Sequence, residues 1–594
     1  MEKLHIRRIK QMKNIIENIK NKKSIHYFII FILGLLVAIP YFWLQIYETD
    51  DGYVHILRVL SAEYSTGYGS FPFLITPFFC RNFGYAMSAF YGPIVTYVPY
   101  IFALITKSTS IGIRIFSGLT IPISGIFMYN YIYEVTKNKG MSFLSAILYM
   151  VFPYRLEIYF NRFSMGEISA FMFIPIVFQG LYNLIHNEGN KHYYITIGAV
   201  GLILSHTITT TYTAVFCIIY ILFHIKDFFK KDIIIKCLIN VFFILLISAF
   251  FIIPIFEFQS QASYAIFNTA KMRTDGYWVM KNTINPSQFL KDIGEKNGVS
   301  FVVGIPTLIM LAITPFAYKH LEEKNKDFYI VNFIIGIIAL YMCTKFFPWI
   351  YMPHVFTNVQ YAWRLELFGI FFLIPVMAMN VCYLIRVVKN ERLKTAVYLA
   401  VILIIAGFTI NELSIYQTPS IIGDRPYIRD EEYEGKIRKN PVISHFALNR
   451  DYLPDKASNL QKTYMQTRND KVYALRGNAE IDDEEKNALK LNFTIKNADK
   501  DTILELPYIF YPGYRVNISY NGKTTQLATS ESENGFVQIV IPDNIGEGKV
   551  QCEYTGTKLE KASYIISLLG IIVFIAYIIY SKKKHIKPEK RDEI

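Results

Sequence analysis

Apolar runs long enough to enter a bilayer dominate the first 412 positions. They lie at 27–46, 111–134, 142–154, 168–186, 193–205, 212–225, 233–256, 301–318, 328–347, 365–386 and 395–412, with one more at 563–580 after a long polar interval. About 20 residues at ~1.5 Å each cross a hydrocarbon core ~30 Å thick. The pattern therefore predicts a mainly α, polytopic transmembrane helical bundle of about twelve to thirteen crossings. The count turns on the apolar piece at 91–105, interrupted by Pro93 and Pro99 and carrying Tyr97 and Tyr100. Were it to cross, every later loop would invert, so it is expected as a re-entrant or interfacial segment on the outer side.

The basic residues fix which loops face which way. Arg7, Arg8, Lys10, Lys13, Lys20, Lys22 and Lys23 crowd the start. Short loops carry Lys137 and Lys139, Lys191, Lys226 with Lys230 and Lys231, Lys319 with Lys324 and Lys326, and Lys389 with Arg392 and Lys394; Lys582, Lys583 and Lys584 follow the last run. Threading the chain from a cytoplasmic N-terminus places all of them inside, as the positive-inside rule requires. The expected organisation is a basic cytoplasmic segment 1–26, a transmembrane domain 27–412 with an exterior loop 47–110, an extracytoplasmic domain 413–562, a last membrane helix 563–580 and a basic cytoplasmic tail 581–594. The first run ends in Tyr-Glu-Thr-Asp-Asp without a small-residue cleavage site, so it stays as an anchor.

Within 413–562 the period changes. Residues 413–468 are irregular and polar, a connector. From about 469 the stretch 489–495 alternates, 503–511 is apolar, and 515–520 alternates again before Asn521-Gly522, a hairpin turn; 536–541 and 549–554 add strands. This predicts a small antiparallel β-sandwich tethered by the last helix.

Composition agrees: the 594 residues are 53% hydrophobic and 18% charged, with mean hydropathy +0.28. The net charge of +14 is accounted for by topology, so no nucleic-acid partner is expected. Of six cysteines, Cys217, Cys237, Cys343 and Cys382 fall in or beside membrane runs, and no spacing suits a zinc site or a disulfide framework. Cys80 and Cys552 both fall outside, where they could meet.

Candidate chemistry collects at the outer ends of the apolar runs. Glu48, Asp50 and Asp51 follow the first, with His55 and Arg58 one and two helical turns later. Such a group could bind a cation, hold an anionic headgroup through Arg58 or take a proton from an attacking hydroxyl, or it could be a solvated loop that ends a helix. Glu167 opens a later helix, where it is either a cap or a site residue, with Arg155 and Arg162 nearby to take phosphate. His206 stands among threonines, either as a hydrogen-bonded helix contact or as a ligand. Arg364 and Glu366 at membrane depth must pair, reach water or act. The outer loop 257–300, with Lys271, Arg273, Asp275, Trp278 and Lys281, is either a lid or solvated charge.

These stretches resemble the GT-C class of polytopic membrane glycosyltransferases, specifically the bacterial YfhO-like proteins and those labelled 6-pyruvoyl-tetrahydropterin synthase-related. The resemblance rests on Glu48-Thr49-Asp50-Asp51 with His55 and Arg58, Phe90-Tyr91-Gly92-Pro93, Tyr154-Arg155 through Arg162 to Gly166-Glu167, Ser205-His206-Thr207, Gln360-Tyr361-Ala362-Trp363-Arg364, and Tyr511-Pro512-Gly513-Tyr514. It implies transfer of a sugar from a polyprenyl-phosphate donor to an extracytoplasmic acceptor in a cell-envelope polymer, glycolipid or protein. It implies catalytic roles for Asp50 or Asp51, with Glu48 and Glu167 as further acidic residues. His55, Arg58, Arg155, Arg162, His206 and Arg364 become candidates for binding the donor phosphate and substrate, and Asp50 and Asp51 for holding Mg or Mn. Two other classes fit the pattern less closely: a lipid or sugar transporter, and a non-catalytic partner for envelope polymers.

Overall fold

The computed structural model describes residues 23–69, 71–72, 74–186, 191–268, 275–290, 302–357, 359–415, 429–440, 450–460, 464–543 and 545–586. Most of the basic N-terminal segment, Lys271 and Arg273 of the long loop, and the end of the tail lie outside them. Among the described residues seven helices are long and apolar enough to span a membrane: Thr109–Thr136, Met165–Ile185, Lys231–Gln261, Glu323–Cys343, Ala362–Val387, Glu391–Ser414 and Lys558–Lys583. The protein is a polytopic membrane protein with a helical bundle and a C-terminal β domain.

Seven of the twelve to thirteen expected apolar runs form such long helices, and others fold into shorter pieces. Lys23–Val37, Ile94–Thr106, Thr207–Phe223 and Ile305–Lys319 are shorter apolar helices, and Tyr194–Ile203 is shorter still. The first run shows why: Pro40 cannot continue the helical ladder, and the chain passes through 3-10 turns at Ile39–Phe42 and Ile46–Glu48 instead. The run at 142–154 becomes Lys139–Val151, capped by Asn138, and then bends by 43° into Pro153–Arg162. Pro153 is preorganised to restart a helix at that bend; Phe163, at φ +54°, ends the restarted piece. Counted as one span, this bent pair makes eight.

The 91–105 segment forms a helix, Ile94–Thr106. Its first amide donates to the Leu204 carbonyl (3.0 Å), and it ends beside Ser108, whose hydroxyl approaches Glu434 of the connector. Both its ends therefore stay on the face of the bundle that carries the β domain.

Among the described residues the β domain has nine strands in two antiparallel sheets. One runs β1 (Tyr473–Arg476), β4 (Ile503–Ile509), β8 (Phe536–Val540), β7 (Thr529–Glu531); the other runs β2 (Glu480–Asn487), β3 (Lys490–Lys496), β9 (Glu547–Tyr554), β5 (Tyr514–Tyr520), β6 (Lys523–Leu527). Alternation buries Leu491, Phe493 and Ile495 of β3, and Asn521 and Gly522 make the β5–β6 hairpin with φ +50° and +71°. That pair of positive angles is what a two-residue primed turn needs. Cys80 and Cys552 are buried free thiols and do not pair.

The connector clamps this domain to the bundle. Asp430 opens the helix Asp430–Lys439, fully buried, and its carboxylate accepts from the Ile46 (3.0 Å) and Tyr47 (2.8 Å) amides while pairing with Arg114. Glu434 accepts from the Thr109 and Ser110 amides, and Arg438 grips Glu63 through two bonds of 2.8 Å. From the other side, Lys486 reaches the Asn82 carbonyl (2.6 Å), and the Ile509 amide donates to Phe83 (2.8 Å). The turn carrying Glu48 is thus held on a fixed frame.

Candidate functional site

The acidic turn docks against the C-terminal end of Pro153–Arg162 through its backbone. The Asp50 amide donates to the Asn161 carbonyl (3.3 Å) and the Asp51 amide to that of Arg162 (2.9 Å). These bonds bring both carboxylates to one guanidinium: Arg162 Nε lies 3.5 Å from Asp50 and Nη2 lies 3.7 Å from Asp51. Asp51 then serves as the N-cap position of the Gly52–Gly67 helix. Gly52 follows because a Cβ there would overlap the Ile46 carbonyl oxygen and the Thr49 hydroxyl. We expect Gly52→Ala to cost about 1–3 kcal/mol, as overpacking against backbone does, and to lower the melting temperature of the detergent-solubilised protein. An unchanged melting temperature would mean the turn yields freely.

Asp51 keeps 40% of its side chain exposed but sits in a crowded recess. Crowding raises its carboxyl to about 6; Arg162 opposes the rise, Asp50 adds to it, and Arg364 and Glu167 act in smaller opposite senses. Asp50 is 63% exposed. Glu48 lies half-buried at the end of its 3-10 turn.

Behind Arg162 stands a buried pair. Glu167, in the first turn of Met165–Ile185, lies 3.2 Å from Arg364 Nε and accepts the Tyr154 hydroxyl (3.3 Å). Arg364 also donates to Gln360 (3.1 Å). Trp363 lies beneath both cations, 4.9 Å from Arg162 and 5.5 Å from Arg364. Arg364 therefore pairs with Glu167 and not with its neighbour Glu366. Glu366 is fully buried, and among the described residues neither of its carboxylate oxygens is hydrogen-bonded.

The two histidines are turned to backbone work. His55 Nε2 accepts the Met165 amide (3.2 Å), tying the Gly52–Gly67 helix to the start of Met165–Ile185. Burial holds its pKa well below the ordinary value, and Arg58 and His206 reinforce this. His206 caps Thr207–Phe223 by accepting the Thr209 amide at Nδ1 (3.3 Å); burial brings its pKa down to about 4 against the pull of Glu167. It still borders the site, since a Cβ on Gly166 would come within 2.7 Å of its ring.

Arg58 and Arg155 stand apart from the carboxylates. Arg58 donates to the Met87 carbonyl (3.0 Å) and lies 3.9 Å over the Tyr91 ring. Arg155 is sealed among Tyr149, Tyr159 and Phe171, donating to the Tyr149 carbonyl, Ser124 and Tyr159. Arg155 and Arg162 share one helical piece, but its winding changes from α at Pro153–Glu157 to π at Ile158–Arg162, so sequence spacing does not put them on one face. Three site features were not singled out from the chain: Tyr154 on Glu167, Trp363 under the cations, and the Asn161 and Arg162 carbonyls that hold the acidic turn. Tyr154 and Trp363 both sat inside noted motifs, which was the available signal.

Asp50 and Asp51 supply hard oxygen donors. Mg2+ takes one or two carboxylates together with phosphate oxygens and water, so this pair fits such an ion chemically, with Arg162 as the competing cation.

No family model matches the chain. An uncharacterized protein of Lactococcus lactis subsp. cremoris (strain MG1363) is 25% identical over 602 residues, spanning 95% of this chain and 96% of that protein. Among solved structures, the archaeal oligosaccharyltransferase AglB from Archaeoglobus fulgidus, in complex with an inhibitory peptide and a dolichol-phosphate, aligns with a TM-score of 0.39 at 12% identity. That alignment covers 73% of this chain and 61% of the archaeal one, so the chain spans less than two thirds of that neighbour.

Proposed function

We propose that this site transfers a sugar from a polyprenyl-phosphate-linked donor to a hydroxyl or amide acceptor on the outer side of the membrane. The observation that carries the reading is Asp51, a carboxyl raised to about 6 beside the buried cation Arg162, on the β-domain face of a membrane bundle. A base is most effective with a pKa near the working pH. Asp51 takes the acceptor's proton as the acceptor oxygen or nitrogen bonds to the anomeric carbon, and the bond from that carbon to the phosphate oxygen breaks.

The departing lipid phosphate needs a cation. Among the described residues Arg162 Nη1 is buried without a hydrogen-bond partner, so it has a donor to give; its own charge is already oriented by Asp50, Asp51 and the Trp363 ring. Arg364, fixed by Glu167, adds a second positive charge behind it. Preorganised charge of this kind stabilises what develops in the transition state. When bound at Asp50 and Asp51, Mg2+ or Mn2+ would neutralise phosphate charge as a Lewis acid.

A membrane-borne donor is supported by an apolar groove of about 600 Å³. It runs along Glu391–Ile415 from Tyr398 to Leu413, walled by Leu36, Phe143 and Ile147, and its Val37 end leads into the turns before Glu48. On this reading both termini are cytoplasmic, residues 413–562 are extracytoplasmic, and the β domain orients the acceptor. The test is transfer of labelled sugar from polyprenyl-phosphate and polyprenyl-diphosphate donors to envelope acceptors by the purified protein in lipid vesicles. Transfer above protein-free vesicles is expected; none with any donor would overturn the reading.

A further inference from the structure

At the opposite end of the bundle, three helices bring two imidazoles and a carboxylate together. His186 follows Met165–Ile185, His224 follows Thr207–Phe223, and Asp327 lies near the start of Glu323–Cys343. One donor atom from each lies within 4.8 Å of the other two. The functional site at the far ends of the first two helices makes no use of them.

The geometry points to a divalent first-row metal site, suited to Zn2+, that joins these three helix ends. His224 Nδ1 stands 3.7 Å from Asp327 Oδ2, too far for a hydrogen bond. The gap is close to the ~3.3 Å that separates two donors bound at about 2.0–2.1 Å to one tetrahedral ion. His224 is only 7% exposed, and its buried Nε2 has no hydrogen-bond partner among the described residues. His186 Nδ1 lies 3.1 Å from the Tyr182 carbonyl and donates to it, which leaves Nε2 with its lone pair. A backbone carbonyl on the other ring nitrogen is the usual way to orient a metal-binding histidine. The two rings stand 5.4 Å apart at 73°, so their edges converge without stacking.

His186 and Asp327 are exposed and free to swing the last ångström or so inward. Two imidazoles and one carboxylate suit Zn2+ and its first-row neighbours better than Mg2+ or Ca2+, which prefer oxygen. Three protein ligands also leave a fourth position for water. Such an ion would staple the helices that present Glu167 and His206 about 30 Å away, at 1.5 Å per residue.

The full chain, purified in detergent and stripped with chelator, should take up one Zn2+ in competition with a chromophoric chelator and melt at a higher temperature when loaded. His186→Ala and Asp327→Asn change exposed side chains and should each weaken Zn2+ binding by at least about tenfold, with the unloaded melting temperatures unchanged. Co2+ should give visible absorption in the wild type that both variants lose. The assignment fails if the stripped wild type binds no Zn2+. It also fails if both variants bind as tightly as wild type, since other histidines would then hold the metal.

Discussion

Asp51→Asn should transfer sugar at least about 100-fold more slowly than wild type, the lower end of what a positioned base contributes. Asparagine keeps the shape of the side chain and leaves the backbone hydrogen bond from residue 51 to the Arg162 carbonyl in place, so expression and melting temperature should stay near wild type. The pH profile gives a second readout. Asp51 must be ionised to accept a proton, and its carboxyl is raised to about 6, so wild-type activity should fall as pH drops through 6, to about one tenth one unit lower. Asp50→Asn, at the more exposed position, should lower the rate without removing that acid limb. If Asp51→Asn retains full transfer, or the acid limb persists unshifted in that variant, Asp51 is not the base.

Arg364→Met should destabilise the protein by about 3–5 kcal/mol, because it strands the Glu167 carboxylate in a site where that residue is 2% exposed. The measurement is thermal unfolding in detergent alongside transfer. Glu167→Gln combined with Arg364→Gln should recover most of the stability, since no unpaired charge is left, while transfer stays low. A single variant as stable as wild type would show that Glu167 is relieved by other groups, of which Tyr154 is the nearest. Recovery of transfer in the double variant would remove the pair from the machinery and leave it a packing role.

Much of the fold could be read along the chain, because membrane insertion and sheet pairing both act on local pattern. Long apolar runs such as 111–134 and 168–186 became the helices Thr109–Thr136 and Met165–Ile185, and the alternation at 489–495 became β3. The charged stretch Glu480–Asn487 carried no such pattern, yet it forms β2 on a sheet edge, where both faces meet solvent and apolar alternation is not required. Run length also misled: 27–46 contains Pro40, and hydropathy does not register a lost amide donor as the end of a helix.

The site divided in the same way. The residue types and their grouping near helix ends were legible: Asp50, Asp51, Arg162, Glu167 and Arg364 come from three separate stretches and meet in one place. Who pairs with whom was not. Arg364 stands two positions from Glu366 but faces Glu167, and Arg155 stands seven positions from Arg162 but points into an aromatic cage, with a change from α to π winding between them. Local sequence determines which segments are helical and which ends carry charge, because hydrogen-bonding and desolvation costs act over a few residues. Side-chain partners are decided by how helices rotate and bend against one another, and that depends on packing between residues hundreds of positions apart, such as Asp430 on the Ile46 and Tyr47 amides.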